Sequence, residues 1–188
     1  IMDAMDALPA NFRAVGGHPM CGKEVGGLAQ AETGLFRDAP FALVRSARTD
    51  GVAWTLAHEL VAELGARPVV VSAEQHDESV AQVSHIPYLL ACAAALGVSG
   101  EALALAGSGL RDVTRLAATP FVMIGPVLQA HREPVAAELA AVIRVLQDLQ
   151  TALASGDDEA LADLLAVAGT QQQLWGRTQG LNEARSSE

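Results

Sequence analysis

The chain has 188 residues and sets 12 Lys+Arg against 22 Asp+Glu, a formal net charge of −10. Hydrophobic residues make up 51% and charged residues 18%, enough apolar surface for a core, which excludes disorder throughout. The acidic balance, with no Lys/Arg cluster, excludes nucleic acid as a partner, because a phosphate-binding surface needs concentrated positive charge.

The longest apolar stretches, Leu89 to Val98 and Pro120 to Leu128, fall short of the ~20 residues that span a bilayer, so no membrane partner is expected. The start, Ile1-Met2-Asp3-Ala4, has acidic flanks and no apolar run behind it, so no secretory signal is visible. A cytoplasmic, reducing setting with Cys21 and Cys92 as free thiols is the expectation. Because Ile rather than Met comes first, the chain is read as a fragment.

Residues 1–72 mix short extended runs with glycine turns. Arg13 to Val15, Phe41 to Val44 and Val69 to Val71 are strand candidates, each bounded by breakers. Between the last two, Asp50 can cap a helix on which Val52, Leu56, Leu60, Val61 and Leu64 recur at helical spacing, and Gly65 closes it. Strand, helix, strand is half of a βαβ layout.

From His76 onward the pattern is helical. Val80, Val83, Leu89, Leu90 and Leu96 form a face with Pro87 inside it, which predicts a kink. Short helices follow at Ser99 to Ala106 and Arg111 to Ala117, with Gly107-Ser108-Gly109 as a bend between them. Pro134 opens the clearest helix, whose Val135, Leu139, Val142, Ile143, Leu146, Leu149 and Leu153 trace a stripe expected to be buried. Gly156 stops it, and Asp157, Asp158 and Glu159 give the next helix an acidic first turn. These alanine-rich helices read as a bundle, shared between two chains.

The densest chemical signal is Gly16-Gly17-His18-Pro19-Met20-Cys21-Gly22-Lys23-Glu24, an imidazole and a carboxylate in one glycine-rich loop after a predicted strand. A phosphate-loop reading fails, since Glu24 stands where a magnesium-binding hydroxyl is needed. His18 fits a structural loop histidine as well as a functional one. Cys21 with His18 as its base lacks an accompanying oxyanion-hole pattern.

His76-Asp77 and Ser84-His85-Ile86-Pro87-Tyr88 are the second signal. The third is Gly109-Leu110-Arg111-Asp112-Val113-Thr114-Arg115-Leu116-Ala117. Arg111 and Arg115 share a helix face beside Gly109 and can hold a carboxylate bidentately, or can simply pair with Asp112 and surface glutamates. No histidine pair has zinc-ligand spacing, so no metal is expected. His58 and His131 read as solvated or locally bonded, and Trp54 and Trp175 as core or interface anchors.

In content and order these blocks resemble the prephenate and arogenate dehydrogenases of tyrosine biosynthesis. The resemblance runs from Gly17-His18-Pro19-Met20 with Gly22 and Glu24, through Leu35-Phe36, His76-Asp77 and Ser84 to Pro87, to Arg111 to Ala117. It implies oxidative decarboxylation of prephenate or arogenate with NAD or NADP, His18 acting as catalytic base. It also implies Arg115 as the substrate-carboxylate clamp, His85 in the same pocket and Glu24 as a gating acid. Gly109, Arg111 and Tyr88 fall with the substrate residues, and Gly17, Pro19 and Met20 border the cofactor.

Two departures touch the pocket: Tyr88 stands where many relatives carry histidine, and Ile124 where many carry tryptophan. Substrate choice and tyrosine feedback stay open on that account. No G-x-G-x-x-G occurs, so the implied fold is the second half of a Rossmann nucleotide-binding domain at 1–72 joined to an all-helical substrate and dimerisation domain at 73–188, mainly α overall. The expectation for the fragment alone is inactivity. Two alternatives are a non-catalytic dimeric module binding a small aromatic ligand, and another Rossmann dehydrogenase with a helical second domain.

Overall fold

A computed structural model describes residues 1–22 and 27–178. A five-residue helix α1 (Met2–Asp6) precedes strand β1 (Val15–Pro19), and β2 (Pro40–Arg45), α2 (Gly51–Glu63) and β3 (Arg67–Val70) follow. The sheet order is β1-β2-β3. Strand β2 runs parallel to β3, with Ala42 opposite Val69, and antiparallel to β1, with Ala42 opposite His18. The β2-α2-β3 unit is the half βαβ layout expected from the sequence.

The core of this layer follows from its apolar pattern. Leu43 of β2, Val61 of α2 and Ala66 are buried, with Phe36, Phe41, Trp54 and Leu64 packed against them. Asp50 caps α2 by accepting the Ala53 N–H at 2.8 Å, and the Arg45 guanidinium lies 4.0 Å from the Trp54 ring centre. The helix closes at Gly65, whose φ of +69° is a left-handed conformation that side chains disfavour. Trp54 is thus the core anchor expected, whereas Trp175 is exposed.

The structure moves one element. Gly16, Gly17 and His18 belong to β1 itself rather than to a loop after it. Gly16 is buried, and a Cβ there would meet the Met2 sulfur at 2.9 Å and Val44 Cβ at 3.2 Å. Close packing thus explains this glycine, whereas a Cβ at Gly22 would meet nothing within 4 Å.

The helical part begins with α3 (Ala73–Val80), which Ser72 starts with a capping box through Gln75. A π turn at Ala81–His85 leads without a break into α4 (Ile86–Leu96). Pro87 offers no N–H to the carbonyl four residues back, and the wider turn lies just ahead of it. The predicted kink is therefore a π turn inside one helix. In a regular α-helix, nine residues make about two and a half turns and set His76 and His85 on opposite sides. The π turn lowers the rotation per residue and swings His85 back toward His76.

That continuous helix, Ala73–Leu96, is long and apolar enough to cross a membrane by length and composition. Neither apolar run read from the sequence reached that length, because the helix adds the mixed polar and apolar residues 73–88 ahead of the run that starts at Leu89.

A 3-10 turn at Ala102–Leu105, α5 (Ser108–Thr114), a 3-10 turn at Arg115–Ala118 and α6 (Phe121–Ala130) come next. Gly107 caps α5, so Ser108 and Gly109 form its first turn rather than a bend. Both α5 and the Arg115–Ala118 turn pack on α4. Then come α7 (Arg132–Ser155), closed by Gly156 at φ +68°, and α8 (Asp158–Thr178).

The chain divides into two compact units, Ile1–Glu138 and Leu139–Glu188. In the second, the stripe expected to be buried is not covered. Leu153 of α7 is 65% exposed, and Leu165 and Leu174 of α8 are also exposed. Leu139, Val142 and Leu149 are half-buried, and the one buried stripe residue, Val135, falls in the first unit.

Candidate active site

Three separate segments of the first unit bring these polar side chains together. His18 comes from β1, His76 and Asp77 from α3, His85 from the π turn, and His131 from the junction of α6 and α7. His18 Nδ1 lies 2.8 Å from His76 Nε2. His76 Nδ1 lies 2.7 Å from Asp77 Oδ1, and His131 Nε2 approaches that oxygen at 3.3 Å. His131 Nδ1 is 3.1 Å from the Val127 carbonyl. The His85 and His131 ring centres are 5.1 Å apart.

The environment sets the charge of each group. His18 keeps solvent-exposed surface, yet crowding by its neighbours strips water from the ring. That desolvation, with the positive potential of His76 and His131, lowers its pKa below the ordinary imidazole value. His85 is 2% exposed. Burial lowers its pKa, the neighbouring imidazoles of His131, His18 and His76 act the same way, and Asp77 opposes them.

His85 Nδ1 is a buried polar atom without a hydrogen bond among the described residues, an orphan that a bound polar group can satisfy. Burial raises the pKa of the Asp77 carboxyl, but hydrogen bonds from His76 and His131 and their charge outweigh it, so Asp77 stays ionised below the usual carboxylate range. The site is therefore a carboxylate held between the His76 and His131 rings, with His18 as the solvent-accessible imidazole of the cluster.

Among the residues singled out in the sequence, the structure joins His18 to the His76-Asp77 pair and sets His85 beside them. Tyr88 is half-buried on α4, and the neighbouring Cys92 thiol, with burial, raises its pKa. Ile124 is half-buried on α6. Arg115 opens the 3-10 turn that packs on α4, the helix carrying Tyr88. Gly109 and Arg111 are exposed on α5, and among the described residues Arg111 makes no ion pair with Asp112 or another carboxylate. Glu24, like Lys23, lies outside the described residues.

Both cysteines are free. Burial pushes the Cys21 thiol up, away from the thiolate that a nucleophile needs. No group of three or more His, Cys, Asp or Glu residues among the described residues has the arrangement to hold a metal ion.

Sequence reasoning missed His131. Its bond to the Val127 carbonyl is the local one expected, but its other nitrogen reaches Asp77, 54 positions away. Its place between two helices was the available signal, since such a junction can present a side chain to elements distant in sequence.

Comparison with known proteins agrees with this architecture. Residues 1–70 match the family model described as prephenate dehydrogenase, nucleotide-binding domain, and residues 72–167 match prephenate dehydrogenase, dimerization domain. The chain is 37% identical over 164 residues to the probable prephenate dehydrogenase NovF of Streptomyces niveus, covering 81% of this chain and 44% of that protein. The arogenate dehydrogenase of Synechocystis superposes with a TM-score of 0.73 at 25% identity, covering 86% of this chain and 61% of that one. The A. aeolicus prephenate dehydrogenase, solved with hydroxyphenyl propionate and NAD+, superposes at 0.76 and 24% identity over 85% of this chain and 58% of its own. This chain spans about half the length of the curated relatives it matches. With both family models matched in order and the fold shared with these enzymes, the chain belongs to the prephenate dehydrogenase family.

Proposed function

We propose that the protein built on this chain oxidatively decarboxylates prephenate, or arogenate, giving 4-hydroxyphenylpyruvate, or tyrosine. The observation that carries this is the accessible His18 imidazole, hydrogen-bonded at Nδ1 to the His76-Asp77 pair and exposed on a sheet edge, with its pKa lowered by desolvation. His18 takes the proton of the ring hydroxyl and returns it to the phenol oxygen once carbon dioxide has left and the ring is aromatic. Arg115 binds the substrate carboxylate, for which its planar fork is suited. His85, with an unsatisfied buried nitrogen, Tyr88, Arg111 and Gly109 line the substrate side, and Glu24 gates it.

The residues present fit the nicotinamide end of an NAD or NADP cofactor. Gly17 carries no side chain, is exposed beside His18, and leaves the Phe41 ring uncovered, since a Cβ there would come within 3.1 Å of it. Gly17, Pro19 and Met20 border that face. When bound, the cofactor supplies a hydride acceptor.

In this reading residues 1–72 are nucleotide-binding and 73–188 are substrate-binding and dimerising. A second copy covers the exposed stripe of α7 and α8, burial that a homodimer supplies and one chain does not. The protein is cytoplasmic. The Ala73–Leu96 helix carries His76, Asp77 and His85 into a site shared with two other segments, an arrangement suited to a soluble protein. Tyrosine, which shares the product's ring, is the feedback ligand of the same pocket.

The test is an assay of the protein carrying this chain with prephenate and arogenate, each with NAD and NADP, following nicotinamide reduction. Turnover with one pairing is expected. Absence of turnover with all four, from protein shown to bind nicotinamide cofactor, rejects the proposal.

A further inference from the structure

The hydrogen-bonded chain ending at His18 has a direction. Asp77, as a carboxylate, can only accept, so His76 Nδ1 must be the donor of their 2.7 Å bond. With both rings neutral, His76 then has one bare nitrogen, Nε2, and the 2.8 Å bond to His18 must be donated by His18 Nδ1. That leaves His18 Nε2 without a proton. Had the carboxylate been missing, either ring could donate, and the direction would be undefined. His131 approaches the carboxylate from the far side, its Nε2 3.3 Å from Asp77 Oδ1 and its Nδ1 3.1 Å from the Val127 carbonyl, two acceptors of which a neutral ring's single N–H serves one.

We propose that Asp77 and His76 are positioning residues that lock His18 in its Nδ1–H tautomer, so that Nε2 is the atom that receives the substrate proton, with His131 anchoring Asp77. This deepens the reading of His18 as the base and rests on it for the identity of the proton donor. The direction of the chain follows from the geometry above together with a neutral His76, which is what the experiment reads. The lowered pKa of His18, from desolvation and from His76 and His131, agrees with a neutral ring. The groups facing His18 are His76, His131, His85 and, through His76, Asp77. The competing arrangement makes His76 an imidazolium that donates to His18 Nδ1, which puts the His18 proton on Nε2 and removes the base.

The test is long-range 15N–1H NMR of the histidine rings in the 188-residue chain at neutral pH, which reads the protonated nitrogen directly. His18 is expected to be protonated at Nδ1 and bare at Nε2. His76→Phe should move His18 toward the Nε2–H form, and His76→Gln should restore Nδ1–H, because its amide can accept from His18 while donating to Asp77. A wild-type His18 protonated at Nε2 overturns the proposal, as does a folded His76→Phe chain with an unchanged tautomer. Should His76→Phe not fold, the wild-type spectrum alone decides.

In the active protein, His76→Phe should lower kcat about 100-fold or more, as expected of a base held in the wrong tautomer, with KM little changed and with rescue by Gln. An inactive protein whose His18 is bare at Nε2 would defeat the proposed function and leave this inference standing. An active protein with His18 protonated at Nε2 would do the reverse.

Discussion

His18 on β1 and His76 on α3 meet ring to ring, Nδ1 to Nε2 at 2.8 Å and 58 positions apart in sequence. One contact therefore joins the strand layer to the helical part. It places the proposed base at the point where the two family models adjoin, between residues 70 and 72. A nucleotide held by the first part and a substrate held by the second would both reach it there.

The proposed roles of His18 and Arg115 separate kinetically. His18→Asn should lower kcat by roughly 10²–10⁴-fold, the usual contribution of a positioned general base. Arg115→Ala should instead raise KM, because a hydrogen bond to a charged group contributes about 1.5–3 kcal/mol to binding. Steady-state kinetics on both variants check the split; a His18→Asn enzyme within threefold of wild type would reject the assignment.

Acid should destabilise the fold through His85 and His18. Both have folded pKa values below the ordinary 6.5, so between the folded values and 6.5 the unfolded chain binds more protons than the native one. Stability then rises with pH across that window and is fully present above it. Asp77, with a folded pKa below its ordinary 3.8, contributes a further loss as pH falls below 3.8 toward its folded value. Urea midpoints measured from pH 7.5 down to 5 should fall, and His85→Gln should flatten that slope. An unchanged slope in the variant would show that His85 is not the group responsible.

Ser72 supports the site from below. It accepts the Gln75 N–H at 3.1 Å, and its own N–H donates to Gln75 Oε1 at 3.0 Å. Ser72→Ala should cost about 1 kcal/mol, the usual loss for an N-cap, read as a lower urea midpoint with an unchanged m-value. A loss of kcat beyond that of other variants equally destabilised would follow from fraying of the turn that carries His76.

Dimerisation should depend on the uncovered stripe. Leu146→Arg places a charge on a face that is 51% exposed in the single chain and that the proposed second copy would desolvate. Light scattering after size exclusion should report a monomer for the variant and a dimer for the parent. A dimer of unchanged stability would move the interface elsewhere.

Residue order alone made several features legible, because they are local. Asp50 and Gly65 bound α2, Gly156 ends α7, and Asp157 caps α8 by accepting the Ala160 N–H at 3.0 Å. The resemblance picked out His18, His85 and Arg115. The strand placement of His18 was not legible, since the glycines before it read as a turn, whereas Gly16 is glycine because Met2 and Val44 crowd it.

His131 shows the same limit from the other side. Its bond to Val127 four residues back follows from helical spacing, but its approach to Asp77 does not.

The sequence by itself determined the caps, the apolar periods and the kinds of side chain available for chemistry, since these act over one or two turns of chain. Tertiary structure decided which imidazoles share a carboxylate and that His85 turns toward them. It also decided that the α7 stripe lies open. Such relations depend on a widened helical turn and on the docking of three distant segments, and no short-range pattern encodes that geometry.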